Sequence, residues 1–353
     1  MTASLRDRVC AYLREGSKLD AVPADDVLAV ARDEGVLLVL ADRLVVPKLA
    51  GELRHAAVLD AVRATELRRV LSVLNAAGVR PVLLKGAALA HTHYARPELR
   101  PRSDTDLMIP VQAKNTVACA LAAEGYTRPA EIDGDLAIGQ FHFVKTDAYG
   151  CRHAIDVHWR VSNVAAFAAA LTYDELLRDA VNIPALGVGA FSPCPVHALL
   201  IACVHRVAHH ADTPHLLWLY DVHLIARHLT APSRAAFREL AEARRMRAVC
   251  GRTLSMAQDA FGEIDAAWIG SLAPADAADE PSAVFLRGRM RQADILKSDL
   301  AATAWANRFQ LLREHLFPPP SYMRHRYPRC PVLLLPLAYA SRIVAGAPRW
   351  LRR

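Results

Sequence analysis

The sequence predicts an α/β core with helical segments on both sides of it. Apolar residues recur at helical spacing over residues 5–77 and again after Val164, whereas the stretch between alternates short β-branched segments with helical ones. The composition, with 53% hydrophobic and 22% charged residues, excludes disorder as the main state. The predicted units are an N-terminal helical segment (1–78), an α/β unit (79–163), a larger C-terminal helical domain (164–316) and a basic tail (317–353).

The N-terminal segment is predicted to be helical, with apolar stripes over residues 5–13, 27–31, 36–46 and 53–77. Gly78 is the expected end of the last helix, because glycine readily takes the left-handed conformation that closes a helix. A buried strand is expected next, over residues 79–84. Lys85-Gly86 interrupts the pattern, and a short helix is predicted over residues 87–94.

A second strand is predicted over residues 103–109, where a polar entry leads into an apolar run that ends at Pro110. A helix is expected over 111–124 and two strands over 141–145 and 153–159. After Val164 the pattern predicts helices at 166–171, 173–181, 195–211, 216–229, 234–246, 248–261 and 284–296. Pro318-Pro319-Pro320 marks the start of the tail.

The cytoplasm is the expected location. Residues 332–340 form the longest apolar run, far short of the ~20 residues that a transmembrane helix needs, and charged residues near Met1, such as Asp7 and Arg8, argue against a secretory signal. The seven cysteines are scattered without a CxxC pair, as is typical of reduced thiols.

The net charge of +7 comes from the end of the chain. From residue 308 onward there are nine arginines against a single acid, Glu314, so the rest of the protein is close to neutral. Such a tail, with tyrosines between its arginines, is either a solvated surface or a site for RNA, acidic lipid or an acidic partner.

Asp104 and Asp106 are the first candidates for chemistry. Alternate residues of a strand project from one face, so these two carboxylates are expected side by side, where they must be solvated or neutralised by a cation such as Mg²⁺. Asp156 and His158 share the polar face of the predicted strand 153–159. If the two strands are neighbours, three carboxylates converge in the arrangement that suits two-metal phosphoryl or nucleotidyl transfer.

The turn at Lys85-Gly86 is a candidate phosphate site. It links a strand to a helix whose first N–H groups lack partners, and a glycine there lets a phosphate approach them. An ordinary strand-to-helix connection explains the same residues, and the Walker A pattern is absent.

Several motifs occur in a fixed order: residues 83–89 with Lys85-Gly86, residues 99–107 with Asp104 and Asp106, residues 156–159, residues 199–205 followed by 218–221, and residues 317–327. Together they resemble the bacterial "uncharacterised nucleotidyltransferase" family, a branch of the polymerase-β-like nucleotidyltransferases. The likeness covers nearly the whole chain.

The resemblance implies a nucleotidyltransferase palm with a mixed sheet and two Mg²⁺ ions, with Mn²⁺ as an alternative. Asp104 and Asp106 would ligate both ions, and Asp156 would ligate the catalytic one and help to take the acceptor proton. Lys85 and Gly86 would contact phosphate. The broader superfamily has Gly-Ser or Gly-Gly at this turn, so the hydroxyl that contacts phosphate is missing here.

Other residues of the motifs are candidates for the pocket. Arg100 and Ser103 would be further phosphate contacts, although a solvated loop is an equal alternative. His205 and His209 have the i, i+4 spacing of metal ligands, yet a lining role in the nucleotide or acceptor pocket is the preferred interpretation. Asp221 is either a helix cap or part of the pocket.

The predicted function is metal-dependent transfer of NMP from an NTP to an acceptor hydroxyl or phosphate, with release of pyrophosphate. The sequence leaves open whether the acceptor is a small molecule, a peptide or an RNA. Two alternatives remain. One is a non-catalytic nucleotide-binding protein on the same scaffold, and the other is a toxin-like enzyme that modifies tRNA.

Overall fold

The computed structural model describes residues 4–15, 23–44, 46–129, 137–288 and 290–351. Within them, six strands form one sheet: β1 (Val82–Leu84), β2 (Thr105–Met108), β3 (Gln140–Thr146), β4 (Arg152–His158), β5 (Val181–Asn182) and β6 (Phe191–Ser192). Their order is β3-β4-β2-β1-β6-β5. Strands β2 and β4 are parallel, as are β1 and β6, and the other neighbours are antiparallel. This mixed sheet is consistent with an α/β nucleotidyltransferase-like fold.

The helices before the last strands follow the predicted stretches closely. They are α1 (Leu5–Glu15), α2 (Asp25–Asp33), α3 (Leu37–Leu44), α4 (Ala50–Ala76), α5 (Lys85–Thr92) and α6 (Lys114–Ala123). Gly78 and Gly125, just after α4 and α6, have φ angles of 77° and 84°, in the left-handed region expected of glycines that end helices.

The later part of the described chain is mostly helical. Its helices are α7 (Ala165–Ala168), α8 (Tyr173–Arg178), α9 (Pro195–His210), α10 (Leu216–Ala226), α11 (Ala231–Ala243), α12 (Arg247–Phe261), α13 (Ala266–Ser271), α14 (Gln292–Ala302), α15 (Trp305–Leu316), α16 (Pro320–Arg326) and α17 (Leu335–Leu351). None of the described helices is long and apolar enough to cross a membrane.

Three element predictions were wrong in detail. The helix expected over 173–181 ends at Arg178, and β5 follows it; two-residue strands such as β5 and β6 are too short to produce an alternating pattern. The helix expected over 284–296 is a 3₁₀ turn at Pro281–Leu286 and then α14. Strand β2 begins at Thr105, so Asp104 lies directly before the strand and not on it.

The two faces of the sheet contribute to separate cores. Val82, Leu84 and Met108 join a core that contains residues of α1–α3 and of α9–α12, so the N-terminal helices pack with the later ones. Leu83 and Leu107 lie on the opposite face and join a core with α4 and α6. The boundaries of the four predicted units stay a prediction.

The tail contains α16 and α17, whose contact is centred on Met323, Leu335 and Ala338. The side chains of Arg349, Trp350, Arg352 and Arg353 lie outside the described residues.

Candidate active site

The strand register places Asp106 and Asp156 side by side. In the parallel pair of β2 and β4, Asp106 lies opposite Asp156, and in the antiparallel pair of β3 and β4, His142 lies opposite Asp156. The ligand atoms of Asp106, Asp156 and His158 all lie within 4.8 Å of one another. The predicted adjacency of the strands is therefore present in the structure.

Asp106 is buried and doubly paired. Its Oδ1 lies 2.7 Å from Lys85 Nζ and 2.7 Å from His158 Nε2. Burial alone would raise the pKa of this carboxyl, but the Lys85 ammonium and the contact with His158 outweigh it and hold the pKa far below its usual range. Asp106 also lines the cavity and belongs to a group of side chains that could hold a metal ion, so the expectation that it faces a metal stays a prediction.

Asp156 and Asp104 complete the acidic group. Asp156 is half-buried, and its Oδ1 is hydrogen-bonded to His142 Nδ1. Asp104 lies at the exposed edge, where partial loss of water raises its pKa and the negative charges of Asp106 and Asp156 raise it further. This coupling indicates that the three carboxylates share one electrostatic environment.

Lys85 begins α5 in an unusual backbone conformation. Its φ of 48° lies in the left-handed region, which residues with a Cβ rarely adopt. No side chain caps the N-terminus of α5, so the N–H groups of its first turn have no side-chain acceptor. The turn therefore brings an ammonium group and helix N–H groups without a side-chain acceptor to the same place.

Gly86 also makes room for Arg100. A Cβ built at Gly86 would lie 3.1 Å from Arg100 Nη1, which is tighter than ordinary contact. Arg100 is itself buried, with Nε 2.9 Å from Asp221 Oδ1 and Nη2 2.8 Å from Asp221 Oδ2, and Tyr94 donates its hydroxyl proton to Asp221 at 2.7 Å. The structure thus places Arg100 in a bidentate ion pair instead of a solvated loop, while Ser103 is exposed.

A cavity of about 670 Å³ lies over the acidic group and is large enough for a nucleotide. Its lining includes the predicted residues Lys85, Gly86, Arg100, Ser103, Asp104, Asp106, Asp156, His205 and His209, together with Gln140, His210, Trp218 and others. His158 and Asp221 are not among the lining residues. His158 lies buried behind Asp106, and Asp221 lies beneath Arg100.

One wall of the cavity is aromatic. The rings of His210 and Trp218 are stacked with centroids 3.7 Å apart, and the rings of His205 and His209 are 5.5 Å apart. Burial lowers the pKa of His209 and His210, to about 3 and about 4, and the positive charge of Lys85 contributes to both shifts. The imidazole rings of both histidines are therefore uncharged at neutral pH. Neither His205 nor His209 belongs to a group of three close metal ligands within the described part of the chain.

Several residues of the site were missed from the sequence: Trp218 and His210, which line the cavity, and His142, which contacts Asp156. Trp218 lies in the motif at residues 218–221, in which the sequence indicated a role only for Asp221. The sequence did indicate the position of His142, because it lies between Phe141 and Phe143 on a predicted strand and so faces the opposite side of the sheet from them. His210, at the end of α9, lies beside His209 in the sequence but carries no spacing that distinguishes it.

The comparisons with known proteins agree with this geometry. A family model described as "Uncharacterised nucleotidyltransferase" matches residues 20–262, more than half of the chain. The chain belongs to this family. The resemblance read from the motifs is confirmed over residues 20–262, whereas the motif at residues 317–327 lies outside the match and stays a prediction. The protein is a nucleotidyltransferase, a transferase of phosphorus-containing groups. A search of curated proteins found no match.

The donor set of this nucleotidyltransferase fits a hard divalent cation. Three carboxylates, Asp104, Asp106 and Asp156, supply the oxygen ligands that Mg²⁺ and Mn²⁺ prefer. Asp106 and Asp156 already hold ligand atoms within 4.8 Å of each other. Asp104 lines the same cavity, and its pKa is raised first by burial and then by the negative charges of Asp106 and Asp156, which a cation would neutralise.

Proposed function

We propose that the protein is a metal-dependent enzyme that transfers NMP from an NTP to an acceptor hydroxyl or phosphate and releases pyrophosphate. The observation that carries this proposal is the alignment of Asp106 with Asp156 on neighbouring parallel strands, with Asp104 at the edge of the same cavity. Converging carboxylates beside a phosphate-binding turn are the arrangement that in-line nucleotidyl transfer requires.

Asp104, Asp106 and Asp156 would hold the metal. When bound, Mg²⁺ or Mn²⁺ would lower the pKa of an attacking hydroxyl and neutralise charge on the phosphates. His142 orients Asp156 through the hydrogen bond to its Oδ1, and His158 orients Asp106 in the same way. Asp156 is the carboxylate we assign to the acceptor proton.

The phosphates are assigned to the turn at Lys85-Gly86. The ammonium group of Lys85 and the uncapped first turn of α5 supply positive charge and N–H donors there. They replace the hydroxyl that the broader superfamily has at this turn. Ser103, exposed on the cavity wall, is a further hydroxyl donor within the same lining.

The nucleobase is assigned to the aromatic wall of His205, His209, His210 and Trp218. Every base has a π face, so stacking on such side chains does not require a particular base. The lowered pKa values of the histidines keep the wall uncharged at neutral pH, which suits a neutral base.

A pyrophosphate-release screen of NTPs and acceptors with Mg²⁺ and Mn²⁺ tests the proposal. We expect release by the wild type and none by Asp104→Asn. Nucleotide binding without release for any acceptor would favour the non-catalytic alternative. Loss of activity on tRNA alone after deletion of residues 318–353 would favour the tRNA-modifying alternative.

A further inference from the structure

We propose that the ammonium group of Lys85 occupies the place of one of the two divalent cations that the family resemblance implies, so that this active site binds a single divalent ion. The inference rests on the proposed function and specifies its cofactor. It is carried by the contacts of Lys85 and Asp106.

The backbone presents Lys85 to the acids. A lysine with a φ of 48° is in a region that costs energy for a residue with a Cβ, and such residues persist only where the surroundings hold them. In this conformation Lys85 contacts Asp106, with 2.7 Å from Nζ to Oδ1. The two side chains are only 13% and 8% exposed, so the pair is shielded from solvent.

Asp106 has one carboxylate oxygen left for a metal. A carboxylate that bridges two ions uses one oxygen for each. Here Oδ1 already contacts both Lys85 and His158 at 2.7 Å. Oδ2 therefore remains for one cation, while Lys85 supplies the charge that a second cation would bring to Oδ1.

The charge balance agrees with a single ion. When ionised, the three carboxylates carry three negative charges, and Lys85 contributes one positive charge. One divalent ion then makes these protein groups neutral. The triphosphate of a bound NTP adds negative charge that a further cation could balance, so the contacts already made by Asp106 Oδ1, and not the charge count, argue against a second ion.

The test counts protein-bound Mn²⁺ by electron paramagnetic resonance after equilibrium dialysis with a saturating non-hydrolysable NTP analogue. We expect one ion in the wild type, one in Lys85→Arg, which keeps the charge, and two in Lys85→Met, which removes it. Lys145→Met is the matched control, because Lys145 forms a similarly buried pair with Glu66 (2.6 Å, 14% and 13% exposed) away from the cavity. This control should still bind one ion.

Two ions in the wild type, or one ion in folded Lys85→Met, would overturn the inference while leaving the proposed function intact. If Lys85→Met does not fold, as judged by circular dichroism, the wild-type and Lys85→Arg counts decide: one ion in each supports the inference, and two in either refutes it. Absence of any bound ion in the wild type would instead refute the metal dependence of the proposed function.

Discussion

Leu107 and Asp106 are neighbours on β2, yet they face opposite environments. Leu107 is fully buried between the sheet and the helices α4 and α6. Asp106 is nearly as buried, but on the side of the cavity, where Lys85 and His158 satisfy its charge. The Leu107 face thus stabilises the fold through apolar contact, whereas the Asp106 face combines apolar contacts, such as those of Met108, with charges held together at a cost that the fold must offset.

Asp104→Asn should show most clearly that a residue on the cavity side affects activity but not stability. We expect turnover to fall about 10³-fold or more, because the substitution removes a charged ligand from the proposed metal site. The melting temperature should hardly change, since Asp104 is exposed. Pyrophosphate release and thermal melting measure the two effects. Activity close to that of the wild type would reject the assignment of Asp104.

Leu107→Ala should lower the stability of the fold and leave turnover nearly unchanged. Removing a fully buried leucine from the apolar face is expected to lower the free energy of unfolding by about 2–5 kcal/mol. The folded fraction should keep its kcat, because Leu107 points away from the cavity. Denaturant unfolding and steady-state kinetics on the same sample check this. A large loss of kcat in folded protein would mean that the two faces are coupled.

Trp218→Ala addresses the cavity wall. Loss of one stacking surface is expected to weaken NTP binding about tenfold, within the ~1–3 kcal/mol typical of base stacking on aromatic side chains. KM for the NTP should rise while kcat changes little. Trp305→Ala is the control, because Trp305 is exposed and does not line the cavity. An unchanged KM in Trp218→Ala would place the base elsewhere.

Glu66→Gln should have the smallest effect, a loss of stability that is present at neutral pH and disappears in acid. Burial opposes the ionisation of Glu66, but the hydrogen bonds from Lys145 and Tyr126 outweigh it, so its pKa in the folded state is lowered from 4.5. The ionised group therefore stabilises the fold above pH 4.5, and this contribution is lost as the pH falls through the lowered value. Melting temperatures measured from neutral pH to pH 3 should decline less steeply in the variant, and an identical decline would contradict the assignment.

Local pattern predicted much of the site. The break at Lys85-Gly86 and the alternation that puts Ile155 on one face and Asp156 on the other are both properties of a few consecutive residues. The register that brings Asp106 beside Asp156 depends on which strands become neighbours, and no local pattern encodes that. The same holds for the pairing of Arg100 with Asp221, which joins residues 121 positions apart.

The aromatic wall was only half predicted for a related reason. His205 and His209 carry a helical spacing that draws attention, whereas Trp218 lies on another helix and reaches the cavity only because α9 and α10 pack together. In the same way β5 and β6 are strands only because the sheet edge at β1 accepts them. The position of Trp218 and the two short strands therefore depend on tertiary contacts, which local sequence patterns do not encode.

The ion pair of Arg100 and Asp221 connects the turn at Gly86 to the later helices. Arg100 lies against Gly86, and its carboxylate partner is on α10. Loss of that carboxylate would leave a buried guanidinium without its ion-pair partner, which is costly. A substitution on α10 should therefore disturb the turn at Gly86 from a position that does not line the cavity.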